Sequence, residues 1–272
     1  MDLLTFRFYA ELNDFLPPAK RQVTFSHGCN GPVSVKHLIE ALGVPHTEVG
    51  LILANGATVD FAYLVQPGDR ISVYPHFATL DVSSLAQLRP PLPHPPRFLL
   101  DIHLGRLAAY MRLLGFDTAY PDDNHNDQDL AQIAHEEKRV LLTRDQGLLK
   151  RSIVIHGYCL RTRDSRQQLI TVLRRFNLFN QVRPWQRCLK CNGRLQPIEK
   201  SLILHRLEPK TIKYFDEFHV CQACGQIYWK GSHYERMQKL VESVRSQNET
   251  FHRLEVLGGS LPISNLPKSE KL

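Results

Sequence analysis

Hydrophobic residues in the first part of the chain recur every second position, the period of half-buried strands. The alternation runs through LLTFRFYAEL and QVTFSH, and again through LILANG, ATVDFAYLV and RISVYPHF. Between them, VKHLIEALGV has its apolar residues at helical spacing and ends at Gly43, a typical helix stop. Asn55-Gly56 is a hairpin-turn signal. This pattern predicts a small α+β sheet domain over residues 1–80.

The pattern changes at RPPLPHPPR, where five of nine residues are proline. Proline fixes φ and removes a hydrogen-bond donor, so residues 81–97 are predicted to form an extended, semi-rigid linker. Strand-like runs then alternate with amphipathic helices, which predicts a parallel sheet with right-handed crossovers over residues 98–183. Residues 184–257 are assigned to a cysteine-bearing module with a C-terminal helix, and residues 258–272 to a disordered tail.

Four aspartates fall where a parallel sheet gathers its ligands. Asp101 ends the strand FLLD, Asp145 follows the strand RVLLT, and Asp127 and Asp129 begin the helix between them. Ligands of such sheets bind at the carboxyl ends of the strands. Carboxylates there suit Mg²⁺ or Mn²⁺, ions that activate water for attack on a phosphodiester. For Asp127 and Asp129, helix capping after Asn126 explains the residues equally well.

Four of the six cysteines form two CxxC pairs separated by 29 residues. Four thiolates at this spacing complete a tetrahedral Zn²⁺ site with no open position, so the metal is predicted to be structural. An iron–sulfur cluster is an alternative with the same ligands. Asn192-Gly193 and Gly225 are predicted to provide the positive φ angles of the two turns. The predicted ligands are Cys188, Cys191, Cys221 and Cys224.

The net charge of +7 is unevenly distributed along the chain. Residues 90–137 contain three basic and eight acidic side chains, whereas residues 138–213 contain 18 basic and four acidic ones. Arginine predominates in the second block, which favours phosphate contact over an ordinary solvated helix face. The predicted nucleic-acid contacts are Arg144, Arg161, Arg163, Arg174, Arg175 and Arg187. Aromatic candidates for stacking on unpaired bases are Trp185, Tyr228, Trp229 and Tyr234.

Membrane and secretory features are lacking in the sequence. No run of 18 apolar residues occurs, and Asp2 and Arg7 interrupt the pattern that a signal peptide requires. Paired cysteines of the metal-binding type indicate a reducing compartment. We therefore expect a cytoplasmic protein with no membrane partner.

The first domain resembles the ubiquitin-like β-grasp fold, especially the sulfur-carrier proteins of thiamin and molybdopterin synthesis, through the segment PGDRISVYP. That resemblance implies thiocarboxylate chemistry at a free C-terminal Gly-Gly. Here the chain runs on past Pro75 into the linker, and Gly258-Gly259 is followed by 13 residues. A docking or scaffold role with a protein partner is therefore favoured over a sulfur-transfer accessory.

The second part of the chain contains the segments FLLDIHLGRLAAYMRLLGFDTAY, DQDLAQIAHEEKRVLLTRDQGLL, RCLKCNGRL and CQACGQIYWKGSHYERM. Through these segments, residues 97–240 closely resemble the Mut-seven C-terminal ribonuclease domain family. This resemblance implies a PIN-like nuclease fold with a zinc ribbon, preceded by a companion β-grasp domain. It also implies ribonuclease activity at an acidic site formed by Asp101, Asp127 and Asp145, with Asp129 as a neighbour.

The sequence thus predicts a multidomain protein: an α+β ubiquitin-like β-grasp domain, then an α/β PIN-like parallel-sheet domain with a C-terminal zinc ribbon. The predicted function is hydrolysis of RNA by a ribonuclease that uses Mg²⁺ or Mn²⁺ at its aspartates. A structural Zn²⁺ and an adjacent basic RNA-binding surface accompany that site. The alternative is a non-catalytic RNA-binding or adaptor protein that uses the ribbon and the basic face.

Overall fold

The computed structural model describes the chain, with gaps, over residues 2–29, 31–77, 88–121 and 125–257. Within these ranges, side chains are described from residue 3 to residue 247. The chain divides into two compact units, one drawn from residues 1–103 and 121–161 and the other from residues 104–120 and 162–272. The predicted tail (258–272) and the first part of the predicted linker (81–87) lie outside the described residues.

The first 77 residues form an α+β domain, as the alternation pattern predicts. Its elements are β1 (Asp2–Phe8), β2 (Phe25–Cys29), α1 (Val35–Ala41), β3 (Val49–Ala54), β4 (Ala57–Thr58) and β5 (Arg70–Pro75). The sheet order is β2-β1-β5-β3-β4, with β1 and β5 parallel and the other pairs antiparallel. Helix α1 packs on this sheet through a core that includes Phe6, Ile39 and Val73.

The turn between β3 and β4 is the predicted hairpin, since Asn55 and Gly56 have φ angles of +54° and +89°. The segment ATVDFAYLV was expected to be one strand, and the structure corrects this: β4 ends at Thr58. The Asp60 carboxylate accepts the Ala62 N–H at 2.9 Å. That local turn competes with the strand and ends it.

The next segment alternates strands and helices, as predicted for an α/β domain. Its elements are β6 (Phe98–Leu100), α2 (Gly105–Leu113), β7 (Thr118–Ala119), α3 (Asp127–Glu136), β8 (Val140–Thr143), α4 (Gln146–Leu149), β9 (Gly157–Cys159) and α5 (Ser165–Arg175). In the first unit, β6, β8 and β9 are parallel neighbours in that order, and every side chain in them is buried. The predicted strand SIVIHGYCL forms a strand only over Gly157–Cys159.

Residues of the α+β domain cover β9, the last strand of this sheet. The 3₁₀ turn His46–Glu48 lies against it, and the buried Glu48 carboxylate accepts the Cys159 N–H at 2.6 Å. Burial, followed by the Glu48 charge, raises the pKa of Cys159 to about 12. The covering segment therefore satisfies an edge N–H that would otherwise lack a partner.

The second unit contains α2, β7, α5 and a small antiparallel module. The elements of the module are β10 (Leu195–Ile198), α6 (Lys200–Ile203), α7 (Pro209–Tyr214), β11 (Phe218–Cys221), β12 (Ile227–Trp229) and α8 (Ser232–Leu257). Its sheet order is β10-β11-β12. The core beneath the sheet is small and centres on Ile203, Phe218 and Ile227. A core of this size buries little apolar surface, so a bound metal ion would add substantially to the folding free energy of the module.

Candidate functional site

Asp101 and Asp145 lie at the carboxyl ends of two neighbouring parallel strands. Strands β6 and β8 pair Leu100 with Leu142, so Asp101 comes opposite Thr143. The Thr143 hydroxyl donates to Asp101 Oδ2 at 2.7 Å and accepts the Asp145 N–H at 2.9 Å. One buried hydroxyl therefore connects both aspartates at the same edge of the sheet.

Both aspartates retain a carboxylate oxygen for a ligand. Asp145 also caps α4, since its Oδ1 accepts the Gly147 N–H at 2.6 Å. Asp101 Oδ1 and Asp145 Oδ2 make no hydrogen bond with the residues that the structure describes. Asp101 is half-buried and Asp145 is exposed, so a ligand can reach them from solvent.

The two aspartates at the start of α3 have different surroundings. Asn126 and Asp129 form a capping box, in which the Asp129 carboxylate accepts the Asn126 N–H at 3.0 Å. Asp129 therefore stabilises the helix start, as the capping interpretation predicts. Asp127 is the first residue of α3, is exposed, and makes no side-chain hydrogen bond within the described part of the chain.

Among the described residues, only the cysteines bring three or more ligand atoms within 4.8 Å of one another. Asp101, Asp127 and Asp145 do not form such a preformed group. Mg²⁺ commonly binds through one or two carboxylates and keeps several waters, so a preformed cage is not required. The Asp101 and Asp145 carboxylates are the oxygen donors that a hard cation prefers.

The four cysteine sulfurs of the second unit form a group that could hold a metal such as zinc. The Sγ atoms of Cys188 and Cys224 are 3.6 Å apart, and those of Cys191 and Cys221 are 3.4 Å apart. In a tetrahedral zinc site with Zn–S bonds of about 2.3 Å, two sulfurs lie about 3.8 Å apart, whereas the sulfur–sulfur bond of a disulfide is about 2.05 Å long. The observed separations are close to the first value. Four sulfurs this close fit one ion rather than a cluster of several irons.

The turns around the cysteines depend on backbone freedom and on space. Asn192 and Gly225 have φ angles of +71° and +70°, as predicted for such turns. The same expectation for Gly193 is wrong, because its φ is not positive. Position 193 requires glycine for a steric reason instead, because a Cβ atom there would lie only 2.8 Å from Cys221 Sγ.

A buried arginine, which the sequence did not single out, supports the first cysteine turn. Arg112 in α2 is 4 % exposed and donates to the carbonyl oxygens of Leu189 and Lys190, both at 2.9 Å. A third bond, to Thr118 O, holds the other end of the guanidinium. Burial lowers the pKa of Arg112. The one available signal was a charged residue within an apolar helix.

Further polar contacts fix the same turn. Asp117 accepts from Arg187 at 3.1 Å and from the Asn192 amide at 2.9 Å. The Tyr228 hydroxyl lies 3.1 Å from Cys188 Sγ and accepts the Leu189 N–H at 3.0 Å. Burial, followed by the bond to Cys188, raises the pKa of Tyr228. Such partners orient metal ligands and tune their affinity.

The predicted nucleic-acid contacts differ in exposure. Three of them are exposed: Arg144, Arg161 and Arg163. Arg161 is also ion-paired with Asp14. Arg174 and Arg175 are half-buried on α5, and Arg187 takes part in the turn described above. Arg144 stands between Thr143 and the strand-end Asp145 in the sequence, and its side chain is exposed.

Within the described ranges, the structure contains no helix with the length and hydropathy of a membrane span.

Comparison with protein families gives two matches. The Mut7-C RNAse domain matches residues 96–241, and the Mut7-C ubiquitin domain matches residues 1–81. No curated protein and no solved structure matches the chain. The predicted family, and the order of its two domains, are thereby confirmed.

Proposed function

This chain belongs to the Mut7-C RNAse domain family, and from that premise we propose that it is a metal-dependent ribonuclease with a PIN-like fold. The reaction is hydrolysis of RNA phosphodiester bonds. The observation that carries the proposal is the Thr143 hydroxyl, which connects two aspartates at the ends of adjacent parallel strands. Ligands of parallel sheets bind at this edge.

The residues at the strand ends have distinct roles in this proposal. Asp101, Asp145 and Asp127 would hold Mg²⁺ or Mn²⁺, which when bound supplies an activated water and offsets phosphate charge. Thr143 is a positioning residue, since its hydroxyl sets the orientation of one carboxylate and binds the backbone of the other aspartate. Arg144 is exposed and would contact the RNA backbone, a contact that positions the substrate without reading its bases.

The four cysteines would hold a structural Zn²⁺ and make the antiparallel module a zinc ribbon. Their sulfur separations of 3.4 and 3.6 Å support one tetrahedral ion. With every position taken by a thiolate, such an ion leaves no place for substrate. Its contribution would be to the stability of a module with a small core.

The test is cleavage of a single-stranded RNA, labelled at one end, by the purified full chain with Mn²⁺ or Mg²⁺. Asp101→Asn and Asp145→Asn should each lower the rate by at least ~100-fold, the usual scale for losing a preorganised electrostatic group. Asp216→Asn is the matched control, because Asp216 is 88 % exposed and pairs only at the surface with Lys200. Equal cleavage by all four proteins would show that another site, or a contaminant, does the chemistry.

The same experiment distinguishes the non-catalytic alternative. An RNA-binding adaptor would show no cleavage, together with RNA affinity that falls steeply with salt and does not change in the two aspartate variants. Loss of cleavage confined to Asp101→Asn and Asp145→Asn supports the ribonuclease.

A further inference from the structure

A pocket of about 350 Å³ opens in the second unit next to the first cysteine turn. It is lined by Leu189, which belongs to that turn, and by Tyr228, whose hydroxyl accepts the Leu189 N–H. Three further aromatic side chains line it, among aliphatic and polar ones. The rings of Trp185 and Tyr234 are stacked, with centroids 4.6 Å apart and planes 24° apart. Trp229 also lines the pocket and is 39 % exposed, so part of its ring faces solvent.

The backbone of Trp185 is strained. Its φ of +66° lies in the left-handed region, which a bulky residue adopts at a cost of about 1–3 kcal/mol. Two bonds to the end of α2 enforce it: the Trp185 N–H donates to Leu113 O at 3.1 Å and the Arg183 N–H to Leu114 O at 2.9 Å. Glycine would adopt this conformation without the penalty. A tryptophan here indicates that the position of the indole ring matters.

Charge and hydrogen-bonding capacity around the pocket fit a polyanion that carries flat rings. Lys230 and Glu217 both line the pocket and form an ion pair with each other at 2.6 Å. The positive charge that faces solvent beside the pocket is on Lys190 and Arg194, which are exposed on the adjoining turn. The side chains of Trp185 and Trp229 make no hydrogen bond with the residues that the structure describes, so both indole N–H groups can donate to a ligand. Phosphates would meet the cations, while a base would meet the aromatic walls.

We propose that this pocket binds one unpaired nucleobase of the RNA, stacked on the aromatic side chains of Trp185 and Trp229. The proposal rests on the proposed function for the identity of the polymer. A base must leave the duplex to expose its faces, so the pocket selects single-stranded RNA. Stacking tolerates all four bases because each has a π face, and the selectivity is therefore for strandedness rather than for sequence.

The chain contains two tryptophans, and both line the pocket, so intrinsic fluorescence reports on it directly. The probe is a 12-nucleotide uridine RNA without added divalent ions, compared with an abasic ribose-phosphate oligomer of equal length and charge. The RNA should quench the fluorescence saturably, and the abasic oligomer should not. Anisotropy of a labelled RNA gives the affinity of each variant.

Trp185→Leu should weaken RNA binding by about 5- to 100-fold, the range found for losing one base–aromatic stack. Trp185→Phe should recover most of the affinity because it restores a ring. Tyr214→Leu is the matched control, since Tyr214 is an aromatic residue of the same unit that is 67 % exposed and does not line the pocket. If Trp185→Leu does not fold, Trp229→Leu removes the other tryptophan that lines the pocket, at a more exposed position where the substitution disturbs the fold less.

Equal affinity for the abasic oligomer would overturn the proposal that the pocket binds a base. Unchanged RNA affinity in Trp185→Leu and Trp229→Leu, when both variants fold, would overturn it as well. Such a result would leave the ribonuclease intact if Asp101→Asn still abolished cleavage. Saturable quenching without any cleavage would instead support base binding in the pocket and contradict the proposed ribonuclease activity. The two proposals therefore fail in different measurements.

Discussion

Replacing Gly193 by alanine puts a methyl group among the cysteine sulfurs. The added Cβ would lie 2.8 Å from Cys221 Sγ, 2.9 Å from Ala223 Cβ and 3.3 Å from Cys191 Sγ. Favourable contacts between such atoms require about 3.5–4.0 Å. None of the three is the far end of a flexible side chain, so the turn or the sulfurs must move.

The expected magnitude follows from the cost of overpacking. Inserting a methyl group into a packed site costs about 1–3 kcal/mol. A bound ion fixes the sulfurs, so most of this cost falls on the metal-loaded state. Since 1.4 kcal/mol is a factor of ten, we expect the zinc affinity of Gly193→Ala to fall by about 5- to 100-fold.

The assay is competition for zinc between the full chain and a coloured chelator, after zinc content has been measured on the purified protein. Gly157→Ala is the matched control, because its Cβ would lie 2.5 Å from Leu149 Cδ2 in the other unit. It should lower stability and leave zinc affinity unchanged. Cys188→Ser should lose the metal. Wild-type zinc affinity in Gly193→Ala would refute the packing argument, and zinc retained by Cys188→Ser would refute the ligand assignment.

Three further predictions concern the first unit. Thr143→Val should reduce kcat about tenfold with little change in KM, because it removes a positioning hydroxyl and keeps the side-chain volume; steady-state kinetics on RNA, alongside a thermal melt, decide this. Glu48→Ala should cost about 1–3 kcal/mol in urea unfolding, since the Cys159 N–H loses its partner, whereas Glu48→Gln retains an acceptor and should cost less. Burial, followed by the positive charge of Arg89, lowers the pKa of His156 to about 4. As the pH falls, the unfolded chain therefore takes up a proton on His156 before the folded chain does, and the stability present above pH 6.5 should be lost between about pH 6.5 and 4. The loss should be smaller in His156→Gln, and an equal loss in both proteins would show that His156 is not its cause.

The sequence alone determined the features that depend on short spacing. The CxxC pairs predicted a metal site, and the alternation of strands and helices predicted a parallel sheet. Asn55-Gly56 predicted a hairpin because both residues accept positive φ. Each CxxC pair, each strand or helix and the Asn-Gly turn is a signal within a few residues, where local geometry dictates the outcome.

The tertiary structure decided which distant residues meet. Thr143 joins two aspartates because β6 and β8 pair in parallel at one particular register, which strand periodicity does not fix. Arg112 reaches the carbonyl oxygens of a turn 77 residues later, although its helical spacing marks it only as a charge in an apolar helix. Trp185 stacks on Tyr234 from a backbone conformation that its residue type disfavours. Such contacts arise when packed elements close on one another, so they become visible only in the folded chain.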